Sequence, residues 1–391
     1  MDPDFSRLDA SLDQRNVDGY LIDADSTDSD QFYLSGFDAP DPFVTLYDGD
    51  VHLLFARSLE YGRATKEARA DTVERYVDFG HGAKVDEHGP QEAVWRVLAE
   101  FLDAYDVDSV AVPPRFPLST ADGLRDQGVT VEPDDDGAVT EVRATKTDEE
   151  VEHIRTAQRA NEAAMAAAEE LLDDARVAAK GQLVYDGDRL TSERIKEEIE
   201  VTLLRHGCAL DDTIVACGAD AADPHDRGSG PLAAGEPIIV DIFPQDKASK
   251  YHADMTRTFV VGEPSETVQR WYDLTAEAHA AALDAVEPGV TGAAVHDAVC
   301  DVYEDAGMAT LRSDGSTETG FIHSTGHGVG LDVHELPRVA PNGGELEPGH
   351  VITIEPGLYD PEVGGVRIED FVVVTEDGYE NLTDYPTELV V

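Results

Sequence analysis

The chain from Thr147 onward repeats one order of predicted secondary structure, and this repeat limits the possible folds more than any other feature. Thr147 and Glu150 form a capping box at the start of a helix that runs to about Asp174. Apolar periodicity and β-rich runs then predict a helix over Ser192–His206, strands over Asp212–Ala216, Ile238–Ile242 and Met255–Val261, helices over Glu266–Val286 and Val295–Tyr303, and strands over Val351–Ile354 and Val366–Val374. Two helices followed by strands thus occur twice, which indicates a duplicated half with pseudo-two-fold symmetry.

The residues before this repeat predict a separate α/β domain. Strand composition marks Val17–Ile22, Phe43–Tyr47, Val51–Phe55 and Ser109–Val112, and helical periodicity marks Gln91–Tyr105. An acidic turn at 132–137 interrupts this pattern, so the boundary falls within Ala138–Thr147. We therefore expect an α+β chain with domains at 1–140 and 141–391.

The charge of the chain excludes several classes of partner. Against 82 acidic residues there are 29 basic ones, of which seven are lysines, and the net charge is −53. Nucleic acids and anionic membranes need a basic face, so neither is expected as a partner. A charge of this size is tolerated best where molar salt shortens the Debye length to ~3 Å, which predicts a halophilic protein.

The termini and cysteines indicate the compartment. The first residues lack the basic and apolar regions of a secretory signal, and no apolar run approaches the ~20 residues of a membrane span. Three cysteines without metal-ligand spacing do not suggest a disulfide framework. We therefore expect a cytoplasmic protein.

Four carboxylates occupy matched places in the two halves. Asp241 ends an apolar strand and Asp254 follows 13 positions later, while Glu355 ends a strand and Glu369 follows 14 positions later. Between the pairs, His327 is flanked by glycines that permit close backbone approach. Converging carboxylates repel one another unless cations lie between them. Four carboxylates and one imidazole predict a site for two divalent ions, with Mn²⁺ favoured by oxygen-rich ligation and Co²⁺, Fe²⁺ or Zn²⁺ also compatible.

These segments resemble the pita-bread metallopeptidases, and within them the Xaa-Pro dipeptidase and Xaa-Pro aminopeptidase group. The resemblance rests on IIVD, DMTRTF, GHGVGLDVHELPR, ITIEPGLY and GVRIED, in that order, and it covers roughly Arg143–Val391. FYLSGF and DGDVHLLFARSLEY resemble, more weakly, the creatinase-type N-terminal domain of that family. The resemblance implies a creatinase-like N-terminal domain, a pita-bread catalytic domain, hydrolysis of short peptides with proline at the second position, and a homodimer.

The resemblance also implies roles for individual side chains. His225 and His334 match histidines that contact the substrate and support the intermediate, and Arg338 matches an arginine that binds the free carboxylate of a dipeptide. Glu355 is expected to act as general base as well as ligand. Arg367 is expected to orient the carboxylate ligands, and Thr256 to do the same for Asp254.

Two departures and three alternatives stay open at this point. Phe243 and Pro244 stand where the family usually has a glycine soon after the first aspartate, and the 13-residue separation implies a longer hairpin tip at Gln245–Ser249.

A metal-dependent lyase or C–N hydrolase acting on a small non-peptide substrate is one alternative function. A pita-bread domain that only binds another protein is a second. The third is an acidic protein that buffers divalent cations through many weak sites.

Overall fold

The structure is a computed structural model that describes residues 3–391, and the chain divides between Arg143 and Ala144 into two compact units. None of the helices in the described part of the chain combines the length and apolar character needed to cross a membrane.

The first unit is built on one six-stranded mixed sheet. Its strands are β1 (Gly19–Ala24), β2 (Phe43–Tyr47), β3 (Val51–Phe55), β4 (Thr72–Arg75), β5 (Ser109–Val112) and β6 (Thr130–Pro133), and its helices are α1 (Ser6–Arg15), α2 (Ser29–Ser35), α3 (Tyr61–Glu67), α4 (His81–His88), α5 (Pro90–Asp103), α6 (Leu118–Asp126) and α7 (Ala138–Ala144). The strand order is β4-β3-β2-β1-β5-β6, with antiparallel pairing around β2 and parallel pairing elsewhere. The predicted bounds of β2, β3 and β5 are confirmed, and the first strand begins two residues later than predicted.

The first half of the second unit follows the predicted order of two helices and then strands. Its helices are α8 (Asp148–Asp173) and α9 (Ser192–Arg205), and its strands are β7 (Arg176–Val177), β8 (Leu183–Tyr185), β9 (Asp188–Arg189), β10 (Cys208–Ala209), β11 (Thr213–Cys217), β12 (Ile238–Ile242), β13 (Gln245–Asp246) and β14 (Met255–Phe259). The predicted capping box is present, since the Thr147 hydroxyl accepts from the Glu150 amide and the Glu150 carboxylate accepts from the Thr147 amide. Strands β11, β12 and β14 form an antiparallel sheet.

The second half repeats this order. Its helices are α10 (Glu266–Ala285) and α11 (Gly292–Asp305), and its strands are β15 (Gly326–Gly328), β16 (Glu335–Val339), β17 (Val351–Ile354), β18 (Gly357–Asp360), β19 (Gly364–Arg367), β20 (Asp370–Thr375) and β21 (Gly378–Asn381). The main sheet has the antiparallel order β16-β15-β17-β20-β21. One apolar core lies between the first helix pair and its sheet, and a second between α10, α11 and the second sheet.

The predicted single strand over Val366–Val374 is wrong, because the chain changes sheets within it. β19 pairs with β18 in a hairpin, whereas β20 pairs with β17 in the main sheet. Ile368 and Glu369 lie at the break between the two strands. The break leaves the Glu369 side chain at the edge where the two halves meet.

Candidate metal centre

The predicted ligands converge at the ends of the two sheets. One ligand atom from each of Asp254, His327 and Glu369 lies within 4.8 Å of the other two. The His327 Nε2 atom lies 3.8 Å from Asp254 Oδ2 and 3.4 Å from Glu355 Oε1. Asp241 belongs to the same cluster, since its charge raises the pKa values of Asp254, Glu355 and Glu369.

Strand register explains how the sequence brings these groups together. Asp241 pairs with Thr256 across β12 and β14, so Asp254 lies just beyond the end of that ladder. In the second half Ile354 pairs with Asp370, which places Glu355 and Glu369 side by side just beyond the β17–β20 ladder. Each half thus presents two carboxylates at one end of an antiparallel pair.

The imidazole of His327 has a defined orientation. Its Nδ1 atom lies 3.1 Å from the carbonyl oxygen of Gly328, and because a carbonyl only accepts hydrogen bonds, Nδ1 carries the proton. Burial and the neighbouring His334 lower the pKa of His327 to about 3. A neutral ring with Nε2 directed at the carboxylates offers a lone pair, as a metal ligand must.

Burial favours the protonated, uncharged form of the clustered carboxylates when no cation is bound. Burial, and then the charges of Glu369 and Asp241, raise the pKa of Asp254 well above its usual range. Burial raises the pKa of Glu355 to about 8, and burial with the charges of Glu355 and Asp241 raises the pKa of Glu369 well above the ordinary value. Repulsion among desolvated carboxylates is the common physical cause.

Arg367 and Thr256 hold two of the carboxylates in place. Arg367 is 3% exposed, and its Nη2 atom donates to Asp241 Oδ2 at 2.7 Å while its Nε donates to the Thr256 hydroxyl at 3.0 Å. The Thr256 hydroxyl donates to Glu369 Oε2 at 2.8 Å. Thr256 therefore orients Glu369 and not Asp254, the predicted partner. Asp254 is two residues away on the same strand, whereas Glu369 lies directly across the junction of the two halves.

Sequence reasoning missed a buried extension of this network through Tyr359 and His323. The Tyr359 oxygen accepts from Arg367 Nη1 at 2.9 Å, and the Tyr359 hydroxyl lies 3.0 Å from His323 Nε2. His323 Nδ1 donates to the carbonyl of Ser324 at 2.6 Å, so its Nε2 accepts from Tyr359. The sequence indicates only that a buried tyrosine in an apolar hairpin needs a hydrogen-bond partner for its hydroxyl group. It does not indicate which residue that partner is.

Close backbone packing requires glycine on both sides of His327. An ideal Cβ at Gly326 would lie 1.9 Å from the Thr353 carbonyl oxygen, and one at Gly328 would lie 2.1 Å from the carbonyl oxygen of Leu336. Real side chains do not approach backbone atoms this closely. The strand can therefore place His327 in the cluster only if both of its neighbours are glycine.

The three predicted substrate-contacting residues lie at the rim of the cluster. The His334 ring centroid is 4.2 Å from that of His327, and partial desolvation by neighbouring groups and the nearby His225 lower the pKa of His334 although its surface is largely exposed. His225 and His334 are both exposed. Arg338 pairs with His327 across β15 and β16 and is also exposed, outside the buried group of carboxylates.

The hairpin that follows Asp241 is anchored on both sides of the centre. Its tip holds the short strand β13, which pairs with β10, and the Tyr251 hydroxyl donates to Glu150 at 2.6 Å. The His252 amide donates to the carbonyl of Gly330 at 2.7 Å, beside the His327 strand. The guanidinium carbon of Arg227 lies 5.9 Å from the centre of the Phe243 ring, so this ring faces the loop that carries His225.

The donor set fits divalent cations. Asp241 Oδ1 and Glu369 Oε1 are buried and have no hydrogen-bond partner in the described structure, which is costly for a carboxylate oxygen unless a cation satisfies it. Carboxylate oxygens with one imidazole nitrogen are ligands for hard or borderline ions.

Comparison with known proteins gives the family. Residues 152–376, more than half of the chain, match metallopeptidase family M24, and residues 5–156 match the creatinase/prolidase N-terminal domain. The chain therefore belongs to metallopeptidase family M24, with a creatinase-type domain followed by a pita-bread domain. The predicted family and fold class are confirmed.

Individual relatives match along nearly the whole chain. The Xaa-Pro dipeptidase of Pyrococcus furiosus is 28% identical over 392 residues, covering 99% of each protein. The crystal structure of the prolidase from Pyrococcus horikoshii superimposes with a TM-score of 0.78 at 26% identity, over 98% of this chain and 99% of that one. The X-Pro aminopeptidase from Thermotoga maritima also gives a TM-score of 0.78, at 27% identity over 96% and 98% of the two chains.

Proposed function

We propose that this protein is a dinuclear metallopeptidase that hydrolyses the Xaa–Pro bond of dipeptides. The observation that carries the proposal is the convergence of the carboxylates and His327, with two buried carboxylate oxygens that have no hydrogen-bond partner. The names of the similar proteins support proline-containing peptides as the substrates.

The ligands proposed for the two ions are one imidazole and four carboxylates. They are His327, Asp241, Asp254, Glu355 and Glu369. Mn²⁺ is the proposed ion because oxygen donors outnumber nitrogen donors four to one, and Co²⁺, Fe²⁺ and Zn²⁺ are the competitors. Arg367 and Thr256 would keep Asp241 and Glu369 in their binding orientation.

The proposed reaction assigns a different role to each of three side chains. When bound, the ions supply Lewis acidity and lower the pKa of water toward neutrality. Glu355 is proposed to accept the proton of the attacking water, as an ionised carboxylate 3.4 Å from the His327 Nε2 atom can do. His334 is neutral near pH 7 because burial and His225 lower its pKa, so its ring donates a hydrogen bond to the developing oxyanion without adding charge. His225 is proposed to support the same carbonyl group from the loop opposite.

Recognition of a dipeptide needs a cation for its free carboxylate. Arg338 is exposed on the strand beside His327, and a guanidinium fork binds a carboxylate with two hydrogen bonds. We therefore favour dipeptides over longer Xaa-Pro peptides. The lyase, C–N hydrolase and binding-module alternatives are not favoured, because the similar proteins are named as peptidases.

The proposal also covers the salt conditions, the cellular compartment and the oligomeric state. Charge composition supports a halophilic protein, and free thiols at all three cysteines support a reducing cytoplasm. A homodimer is proposed on family resemblance, and light scattering in molar salt distinguishes it from a monomer.

A Glu369→Gln variant tests the function. It removes the charge of one proposed ligand with almost no change in shape, and we expect hydrolysis of Ala-Pro in molar salt with Mn²⁺ to fall at least 100-fold (roughly 2.7 kcal/mol or more in the barrier) while the circular dichroism spectrum is unchanged. Glu376→Gln makes the same change at an exposed glutamate after β20 and is expected to leave the rate unchanged. Undiminished turnover by the Glu369→Gln enzyme would exclude the proposed site.

A further inference from the structure

A fully buried arginine lies directly behind the carboxylate cluster. Arg257 is 1% exposed and occupies the middle of β14, three residues after Asp254. Its neighbours Thr256 and Thr258 face the centre, where their hydroxyls bond to Glu369 and to the Arg367 carbonyl. Because side chains alternate along a strand, Arg257 points to the opposite, core side with Met255 and Phe259.

The Arg257 guanidinium joins three segments of the chain. On the strand of Asp254 it donates from Nη1 to the Thr256 carbonyl at 3.0 Å. On the strand of Glu369 it donates from Nη1 to the Glu369 carbonyl at 2.5 Å and from Nη2 to the Asp370 carboxylate at 2.9 Å. In the C-terminal segment the carbonyls of Tyr385 and Pro386 accept from Nη2 and Nε, each at 2.9 Å.

These bonds lie at the place where the two halves of the domain meet. The Glu369 amide donates to the Thr256 carbonyl at 3.1 Å, the same carbonyl that accepts from Arg257. The Asp370 carboxylate is fixed in turn by the Asn381 amide at 2.8 Å, and His279 Nε2 lies 3.7 Å away. A planar fork with five donors in fixed directions therefore determines how the two ligand-bearing strands lie against each other.

We propose that Arg257 is a positioning residue that sets how β14, which begins directly after Asp254, lies against the Glu369–Asp370 segment, and thereby the shape of the metal-binding cluster. The inference rests on the proposed function, because it assigns Arg257 a purpose in binding ions. Arg257 touches neither substrate nor ions and acts through the backbone of Thr256 and Glu369. A lysine in its place keeps the charge but cannot reach acceptors on three segments at once.

Two variants separate positioning from simple stabilisation. Arg257→Lys keeps the charge and removes the fork. The double variant Arg257→Met with Asp370→Asn removes the guanidinium without leaving a buried carboxylate that has lost its cation, which would by itself strongly destabilise the protein. Arg312→Lys is the matched control, since Arg312 is also bound by several carboxylates but lies exposed in the turn after α11.

The experiment is calorimetric titration with Mn²⁺ of each full-length protein in molar salt, with thermal unfolding measured in parallel. We expect both Arg257 variants to be folded and to bind Mn²⁺ at least tenfold more weakly than wild type, with a lower kcat and a nearly unchanged KM for Ala-Pro. The Arg312→Lys protein is expected to bind as wild type does. A folded Arg257 variant with Mn²⁺ affinity within twofold of wild type would overturn the inference alone. A wild-type protein that binds no Mn²⁺ would overturn the proposed function and this inference with it.

Discussion

At the scale of single residues, the chemistry of the centre depends on groups whose charge is suppressed by burial. Burial raises the pKa values of Glu355 and Glu369 and keeps His327 neutral, while the permanent positive charge of Arg367 is paired with Asp241. A cluster of this kind is unfavourable by itself and becomes favourable when cations replace the protons.

Metal binding should therefore release protons. The pKa of Glu355 is about 8 in the folded metal-free protein and 4.5 when unperturbed, so between these values the folded state holds a proton that the unfolded state has lost. This contribution to the free energy of unfolding is fully present below about pH 4.5 and is lost as the pH rises through about 8. We expect Mn²⁺ binding at pH 6.5 to release at least one proton, measured by calorimetry in buffers of different ionisation enthalpy. Glu355→Gln should release fewer, and binding without proton release would contradict this electrostatic account.

The proposed role of Arg338 is to select the kind of peptide that is hydrolysed. If its guanidinium holds the substrate carboxylate, Arg338→Ala should lower kcat/KM for Ala-Pro by roughly 10- to 100-fold, the equivalent of one or two charged hydrogen bonds. The same variant should leave hydrolysis of Ala-Pro amide, which has no free carboxylate, nearly unchanged. The exposed Arg159→Ala is the control. An equal loss on both substrates would mean that Arg338 does not recognise the carboxylate.

Asp241 and Glu355 could be predicted from the residues alone because each lies at the end of a short apolar strand, where an unpaired charge is unfavourable. Asp254, His327 and Glu369 have no such apolar flanks, so their prediction depended on the matched spacings and on the family resemblance. Tyr359 and Arg257 could not be assigned in this way. Most of their partners are distant in the chain, up to 129 positions away, and a single sequence does not indicate which distant group will face a given side chain.

At the scale of elements, the glycine-bounded strand β15 is packed too closely for side chains next to His327. Gly328→Ala would place a methyl group 2.1 Å from the Leu336 carbonyl oxygen, so either β15 or the strand that follows His334 must move. We expect a loss of about 1–3 kcal/mol in the free energy of unfolding and a strong loss of activity. Thermal unfolding and Ala-Pro hydrolysis measure the two effects.

The control for this prediction is Gly344→Ala in the same half of the domain. No atom lies within 4 Å of a Cβ built at Gly344, so stability and activity should both stay close to wild type. Wild-type stability in the Gly328→Ala protein would show that the strands are not packed as closely as the structure indicates.

The strand break at Glu369 shows where sequence patterns fail at this scale. The segment from Val366 to Val374 reads as one run of β-forming residues, and the predicted single strand followed from that pattern. The segment forms two strands because its first part pairs with β18 and its second part pairs with β17, in a different sheet. By contrast, the helix starting after Thr147 was predicted correctly because its capping signal is local.

At the scale of the whole molecule, the net charge of −53 predicts that stability depends on salt. Only four of the 82 acidic residues belong to the proposed centre, and the 29 basic residues are too few to neutralise the others. Transfer from molar salt to about 0.1 M lengthens the Debye length from ~3 to ~10 Å. We expect the melting temperature to fall by roughly 10 °C or more, equivalent to about 3–5 kcal/mol for domains of this size.

Sucrose of equal osmolality in place of salt serves as the control, since it does not screen charge. It should fail to restore the melting temperature, whereas molar KCl should restore it. A melting temperature independent of salt would contradict the prediction of a halophilic protein.

The central claim is that two divalent ions bind between the halves of the second unit. Anomalous X-ray diffraction at the manganese edge, from crystals grown in molar salt with Mn²⁺, tests it most directly. We predict two peaks ~3.5–4 Å apart, surrounded by Asp241, Asp254, His327, Glu355 and Glu369. Peaks scattered over surface carboxylates, with none in this cluster, would contradict the claim and would favour a protein that only buffers cations.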